Sequence, residues 1–233
     1  GSPAEKAGIA AGDRLVSIGG KTIADVLDYR FYMCEKNLTL TLRRGEEEFS
    51  VKIKKGEYDD IGLDFATYLM DEKRRCANNC IFCFIDQNPC GMRESIYFKD
   101  DDSRLSFLQG NYITLTNLGE KDIKRIIDMK MSPVNISVHT MNPELRVKML
   151  RNKNAGKVLS YLKTLDDGGI NMNCQIVLCK GINDGAELDR SMRELAEYPH
   201  IHSASIVPSG LTCHREGLYP LKLFSPEEAG AVI

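Results

Sequence analysis

Cys76, Cys80 and Cys83 stand at spacings of four and three in the run CANNCIFCF. Cysteines so close together support three chemistries: a disulfide, a zinc site or a redox cofactor. Structural zinc takes four closed ligands, so Cys90 or a distant histidine would have to complete it. A [4Fe-4S] cluster held by three thiolates keeps one iron free for an exogenous ligand. The chain has eight cysteines, but a disulfide framework belongs to small secreted domains. In a reducing compartment, clustered cysteines are metal ligands by preference. The isolated Cys34, Cys174, Cys179 and Cys213 read as small hydrophobes of the core.

Other groups are candidates for lesser roles. Asp100, Asp101 and Asp102 in KDDDSR offer the hard oxygen ligands that divalent cations favour, or else a solvated loop. His139 falls at a strand end, where it could serve as acid or base or simply hydrogen-bond. His200 and His202 precede a strand at alternating spacing and are assigned no metal.

The elements that must position these groups are legible in the hydrophobic pattern. A chain of 233 residues, 42% hydrophobic, buries one large core or a moderate core plus a small domain. A net charge of -2 with both signs interspersed gives no electrostatic footprint for nucleic acid or an anionic membrane. No apolar run is long enough to span a bilayer, and the start GSPAEKAGIAAGD lacks the order of a secretory signal, so the chain reads as cytoplasmic.

Residues 1–58 read as a small α+β domain. DRLVSIGGKTI is strand, Gly-Gly turn and strand, followed by a helix with Leu27, Phe31 and Cys34 at helical spacing. Leu38, Leu40 and Leu42 then alternate toward Gly45, and Phe49, Val51 and Ile53 alternate back, which predicts a hairpin with one buried face. IGLDF at 61–65 reads as a strand entering the next domain.

Residues 59–233 change to strands followed by longer helices, the pattern of parallel β/α units. FATYLM is expected as a first strand leading into the cysteine loop, YITLTNL as a second, VNISVHT as a third, MNCQIVLC as a fourth and SASIVP as a fifth. Helical stripes follow at Ile123, Ile126 and Ile127, at Val158, Leu162 and Leu165, and at Leu188, Met192 and Leu195. The third strand alternates Val134, Ile136 and Val138 with Asn135, Ser137 and His139, and the fourth sets Asn173 and Gln175 against Cys174 and Ile176. Strand side chains alternate faces, so helices cover one face and the other looks into something polar, a barrel lumen or else, in a sheet with one solvated face, water. The expected fold class is α/β, a partial (β/α) barrel preceded by the small domain. The helix start FSPEEAGAVI, with Ser225, Pro226 and Glu228, leads to the expectation that the core is truncated at its C-terminus.

CANNCIFC, with Phe82 at an aromatic position, resembles the C-x3-C-x-aromatic-C motif of radical S-adenosylmethionine (SAM) enzymes. LGE at 118–120 is similar to their Gly-Gly-Glu segment, with Leu118 departing from the pattern. The stretch from ISVHT to GIND resembles the molybdenum-cofactor and nitrogenase-cofactor branch, with Lys180 where proline is expected. The whole chain is similar to bacterial iron-sulfur oxidoreductase-like proteins with an N-terminal PDZ-like domain, a radical SAM core and a C-terminal domain of unknown function. CIFCFIDQ, YFKDDDSRLSFLQGNYITLTNL and GLTCHREGLYPL carry that similarity. Residues 1–58 resemble the later part of a bacterial PDZ domain, without the glycine-rich loop that binds a peptide carboxylate.

The resemblance implies a partial barrel of radical SAM type, a [4Fe-4S] cluster and SAM as cofactors, and reductive cleavage of SAM to methionine and a 5'-deoxyadenosyl radical. It assigns Cys76, Cys80 and Cys83 to iron and Phe82 to the motif's aromatic place. Gly119 and Glu120 are implied at the amino-acid end of SAM, and Ser137, Gln175 and Asn183 at its carboxylate or ribose. It also implies an electron donor such as a ferredoxin or flavodoxin, and the PDZ-like part suggests a protein or peptide substrate. The competing class is a non-catalytic, zinc-stabilised PDZ-containing scaffold with Cys90 as fourth ligand.

Overall fold

Alternation of leucine with polar residues in the N-terminal part resolves into an antiparallel sheet in the computed structural model, which describes all 233 residues. After a capped turn of helix α1 (Pro3–Lys6), strands β1 (Arg14–Ile18) and β2 (Lys21–Thr22) form a hairpin. Gly19 and Gly20 turn it at φ 57° and 76°, a left-handed conformation that costs glycine little. Helix α2 (Val26–Tyr32) starts at Asp25, whose carboxylate accepts the Leu27 amide at 2.9 Å. Strands β3 (Asn37–Arg44) and β4 (Glu47–Lys54) complete a sheet of order β2-β1-β3-β4. The register Leu38↔Ile53, Leu40↔Val51 and Leu42↔Phe49 puts the apolar residues on one face, where Leu38, Leu40, Leu42 and Ile53 are buried with Ile18.

Two expectations change here. Phe31 is 47% exposed and Cys34 is exposed, because α2 ends at Tyr32 and leaves Cys34 beyond its last turn. Residues 61–65 form no strand; Ile61 is fully buried in this N-terminal core, and its carbonyl accepts the Ala4 amide at 2.9 Å. The compact units are accordingly Gly1–Lys73 and Arg74–Ile233, where the sequence suggested a division at 58.

The second unit is built on the parallel sheet β5 (Val134–Ser137), β6 (Met172–Leu178) and β7 (Ile201–Pro208), in that order. Its helices are α3 (Ser103–Gln109), α4 (Glu120–Asp128), α5 (Pro143–Leu150), α6 (Ser160–Asp167), α7 (Ala186–Ala196) and α8 (Pro226–Val232). The predicted stripes face the sheet: Ile123 and Ile126 of α4, Leu162 and Leu165 of α6 and Leu195 of α7 join Val134, Ile136, Met172, Cys174 and Ile176 in one core. Helix α8 begins with the capping box read from the sequence, Ser225 accepting the Glu228 amide and Glu228 the Ser225 amide.

The first two expected strands do not form. FATYLM folds into turns, with Met70 at φ 67° and its amide on the Thr67 carbonyl at 3.0 Å. YITLTNL keeps only a parallel bridge, Ile113↔Ile136, because Leu115 takes φ 66° and the Thr114 amide turns to the Asp101 carboxylate at 2.8 Å. The sheet of this structure therefore has three strands and one bridge, fewer than the five strands expected for the partial barrel. Among the isolated cysteines, Cys174 and Cys179 are buried as expected, while Cys34 and Cys213 are exposed. No helix is long and apolar enough to cross a membrane.

Candidate metal and cofactor site

The cysteine loop is fastened to its surroundings by backbone bonds. The Cys76 amide donates to the Lys99 carbonyl at 2.8 Å, Asn79 to Leu150 at 3.0 Å and Ile81 to Met149 at 2.9 Å. Ile81 is buried against Met149, Leu150, Ala155 and Cys179, so the middle of the loop is seated on the C-terminal end of α5. Farther along, the Gln87 amide group bonds the Gly210 carbonyl and the Thr212 amide at 3.2 and 3.1 Å, and the Thr212 hydroxyl donates to the Gln87 carbonyl.

These ties bring Cys76, Cys80 and Cys83 to the wall of one cavity of about 660 Å³. Phe82, Ser137 and Gln175 line the same cavity, together with Asn78, Thr114, His139 and Ser209. The polar face of β5 and β6 thus looks into this space, as alternation implied. All three cysteines are free and half-buried. Burial pushes the Cys80 thiol up to about 12, with the Cys76 and Cys83 sulfurs adding to it, and burial also raises Cys76. Without a metal Cys76 and Cys80 are neutral thiols, and a bound metal would displace their protons.

The donor set suits an iron-sulfur cluster and not closed zinc. It offers three soft sulfur ligands in one cavity, and Cys90 is exposed and not part of the lining. No three His, Cys, Asp or Glu side chains yet converge as a ready metal site.

In the aspartate run Asp101 and Asp102 are buried while Asp100 is exposed, and the three do not converge on one cation site. Asp100 accepts from Asn111 at 3.3 Å. Asp101, 4% exposed, accepts the Thr114 amide and hydroxyl at 2.8 and 2.6 Å. Burial pushes its carboxyl up, opposed by those Thr114 bonds. Asp102 caps α3 and pairs with Arg104 at 2.7 Å, both fully buried; the desolvation is outweighed by Arg104 and by the Arg74 and Arg104 amides, which hold its carboxyl low. The three carboxylates serve different partners.

The remaining predicted residues separate. Gly119 caps the start of α4, its amide on Asp122 at 2.9 Å, and the exposed Glu120 opens that helix beside Ile123 and Tyr161; neither lines the cysteine cavity. Asn183 is also absent from the lining, because its amide is spent on backbone: it accepts the Cys179 amide at 2.7 Å and donates to the carbonyls of His139 and Val177 at 2.7 and 3.0 Å. It fixes the turn in which Gly181, at φ 73°, bonds Asp184.

Sequence reasoning missed Asn78, Thr114, Thr116, Asn152 and Arg146. Asn78 stands between two of the cysteines, and that position was the one available signal.

His139 is 3% exposed, with its ring centroid 4.7 Å from that of Phe82. Its Nδ1 accepts the Val177 amide at 3.2 Å, so the neutral ring carries its proton on Nε2. Burial lowers its pKa to about 3, with Arg146 contributing. The group is a neutral donor toward the cavity at physiological pH and not an acid. Since its folded pKa is depressed, its stabilisation is complete above the ordinary value near 6.5 and is lost as pH falls toward 3. One proton corresponds to a slope of about 1.4 kcal/mol per pH unit in that window. His139→Asn should remove that slope, because asparagine tolerates φ 65° and its carbonyl can accept the Val177 amide. Denaturant unfolding between about pH 7 and about pH 4 measures the slope, and an equal slope in both proteins refutes the assignment.

Residues 55–204 match the family model described as radical SAM-like domain, and residues 1–44 match that of the PDZ domain. No curated protein matches the chain. Among solved structures, a radical SAM methyltransferase from Sphaerobacter thermophilus is similar at 13% identity and a TM-score of 0.40, over 94% of this chain and 72% of that one.

Proposed function

The chain belongs to the radical SAM-like domain family, and on that premise we propose that it is an enzyme that binds a [4Fe-4S] cluster and cleaves SAM reductively. The observation that carries the reading is that three free cysteines of one loop line a single cavity to which no fourth cysteine of the loop contributes. The chemistry such a cluster would supply when bound is one-electron reductive cleavage of SAM to methionine and a 5'-deoxyadenosyl radical.

This chain's residues divide the work around that chemistry. Cys76, Cys80 and Cys83 would hold the iron, since all three line the cavity and no fourth cysteine of the loop joins them. Phe82, Ser137 and Gln175 are placed to contact SAM, since they share the cavity with the cysteines. Neutral His139, donating from Nε2, orients a polar group of the bound molecules without carrying charge. The buried floor formed by Ile81, Met149 and Leu150 excludes water from one side of the loop. The match to a PDZ domain supports a protein or peptide as substrate, and the electron requires a one-electron donor such as a ferredoxin or flavodoxin.

The test is anaerobic reconstitution of the protein with iron and sulfide, followed by SAM and a strong reductant. The expected product is 5'-deoxyadenosine, formed slowly even without substrate. A protein that assembles the cluster, yet whose reduced electron paramagnetic resonance spectrum is unmoved by SAM and which leaves SAM intact, refutes the reading.

A further inference from the structure

Asn78 is buried to 7% exposure between two cysteines of the loop, and both polar atoms of its side chain have partners. The direction of its side-chain amide follows from its neighbours. The Asn154 backbone amide can only donate, and it donates to Asn152 Oδ1 at 2.9 Å. Asn152 Nδ2 therefore faces Asn78 Oδ1, at 2.8 Å, and the Thr116 hydroxyl lies 3.1 Å from that oxygen and 2.8 Å from Thr114 Oγ1. With its oxygen held by the Asn152 amide, Asn78 must turn Nδ2 the other way. Nδ2 lies 2.9 Å from Thr114 Oγ1, whose own proton goes to Asp101 at 2.6 Å, and 3.4 Å from Cys76 Sγ. The Asn78 backbone amide also donates to Cys76 Sγ at 3.4 Å.

Two N–H groups of one residue thus converge on one sulfur. Hydrogen bonds to ligating sulfur withdraw electron density and favour the reduced cluster. We propose that Asn78 is a positioning residue that sets the reduction potential of the cluster by donating its side-chain and backbone N–H groups to Cys76. The proposal rests on the cluster reading above. Asp101, Thr114 and Asn152 act only by fixing the amide of Asn78 in the donating orientation.

Electron paramagnetic resonance-monitored redox titration of the reconstituted holoprotein tests it. Asn78→Ala keeps all three cysteines and should hold a cluster whose potential is more negative than that of the parent. Asn88→Ala removes an amide of the same loop that donates to the Ile96 carbonyl at 3.0 Å, and should leave the potential unchanged. Resonance Raman spectroscopy of the unaltered holoprotein supplies a second measurement. Transfer to D2O should move an Fe–S(Cys) stretching band, and the movement should shrink in Asn78→Ala. If Asn78→Ala cannot hold a cluster, the D2O effect in the parent decides alone, and an unmoved band overturns the proposal. Equal potentials in parent and Asn78→Ala overturn it while leaving the cluster reading intact. A parent protein that assembles no cluster sinks both.

Discussion

Alanine at Cys76, Cys80 or Cys83, introduced singly, should abolish cluster assembly and with it the cleavage of SAM. Each thiol lines the one cavity, and the fourth cysteine near the loop, Cys90, is exposed and outside it, so none of the three has a substitute. The buried Cys179 touches the loop's core but belongs to the packing around Ile81, where burial pushes its thiol up to about 11. Loss of an outer-shell partner costs a metal site roughly 10- to 100-fold, and loss of a ligand from a set with none spare should exceed that. Iron and acid-labile sulfide per chain after anaerobic reconstitution, with the visible absorption band, give the measurement. Cys34→Ala, Cys90→Ala and Cys213→Ala, at exposed positions, should retain the parent's iron and sulfide. Full iron content in any single variant of Cys76, Cys80 or Cys83 would defeat the three-ligand assignment, and stoichiometric zinc lost in Cys90→Ala would favour the scaffold instead.

What could be read from the sequence was what period and local chemistry encode. The alternations of Leu38, Leu40 and Leu42 and of Val134 and Ile136, the stripe of Leu162 and Leu165, and the Ser225 cap all name their structure within a few residues. The two strands that failed show the limit of that method. FATYLM and YITLTNL look extended, but Met70 and Leu115 take left-handed backbone angles that non-glycine residues rarely adopt and no local signal announces. The environment overrides the pattern at 115, since the neighbouring Thr114 is held through both its amide and its hydroxyl by the buried Asp101. The same distance in sequence hid the polar network behind the cysteines. Thr114 and Asn152 carry no signal in their own segments, Asp101 reads there only as one of three acidic residues and Asn78 only as a neighbour of cysteines, and the network exists once the fold brings them together. At Asn183 the turn motif named a residue whose side-chain amide bonds only backbone groups in this structure.

Arg146 carries the second large expectation, because nothing in a helix reading PELRVKML separates it from a surface charge. It is 1% exposed, and its guanidinium donates to four carbonyls: Val138, Ser137 and Thr114, each at 2.8 Å, and Ala155. Burial lowers its pKa to about 10, opposed by Asp101 and Cys80, so it remains a cation at neutral pH. A planar fork suits several acceptors at fixed angles, which an ammonium group cannot match. The fork joins the end of β5, the broken segment at 114 and the turn after α5, the places from which His139, Thr114 and the seat of the cysteine loop are held. Arg146→Met would keep most of the volume and leave four buried carbonyls without this donor. At about 1–3 kcal/mol for each unsatisfied group the loss is several kcal/mol. That is a large share of the roughly 5–15 kcal/mol that holds a domain together. Arg146→Lys keeps the charge and should lose less, since it can still serve some of the carbonyls. Denaturant unfolding followed by circular dichroism gives the ordering, parent above Lys above Met. Arg146→Met within about 1 kcal/mol of the parent would show that these carbonyls find other donors and that the clamp is dispensable.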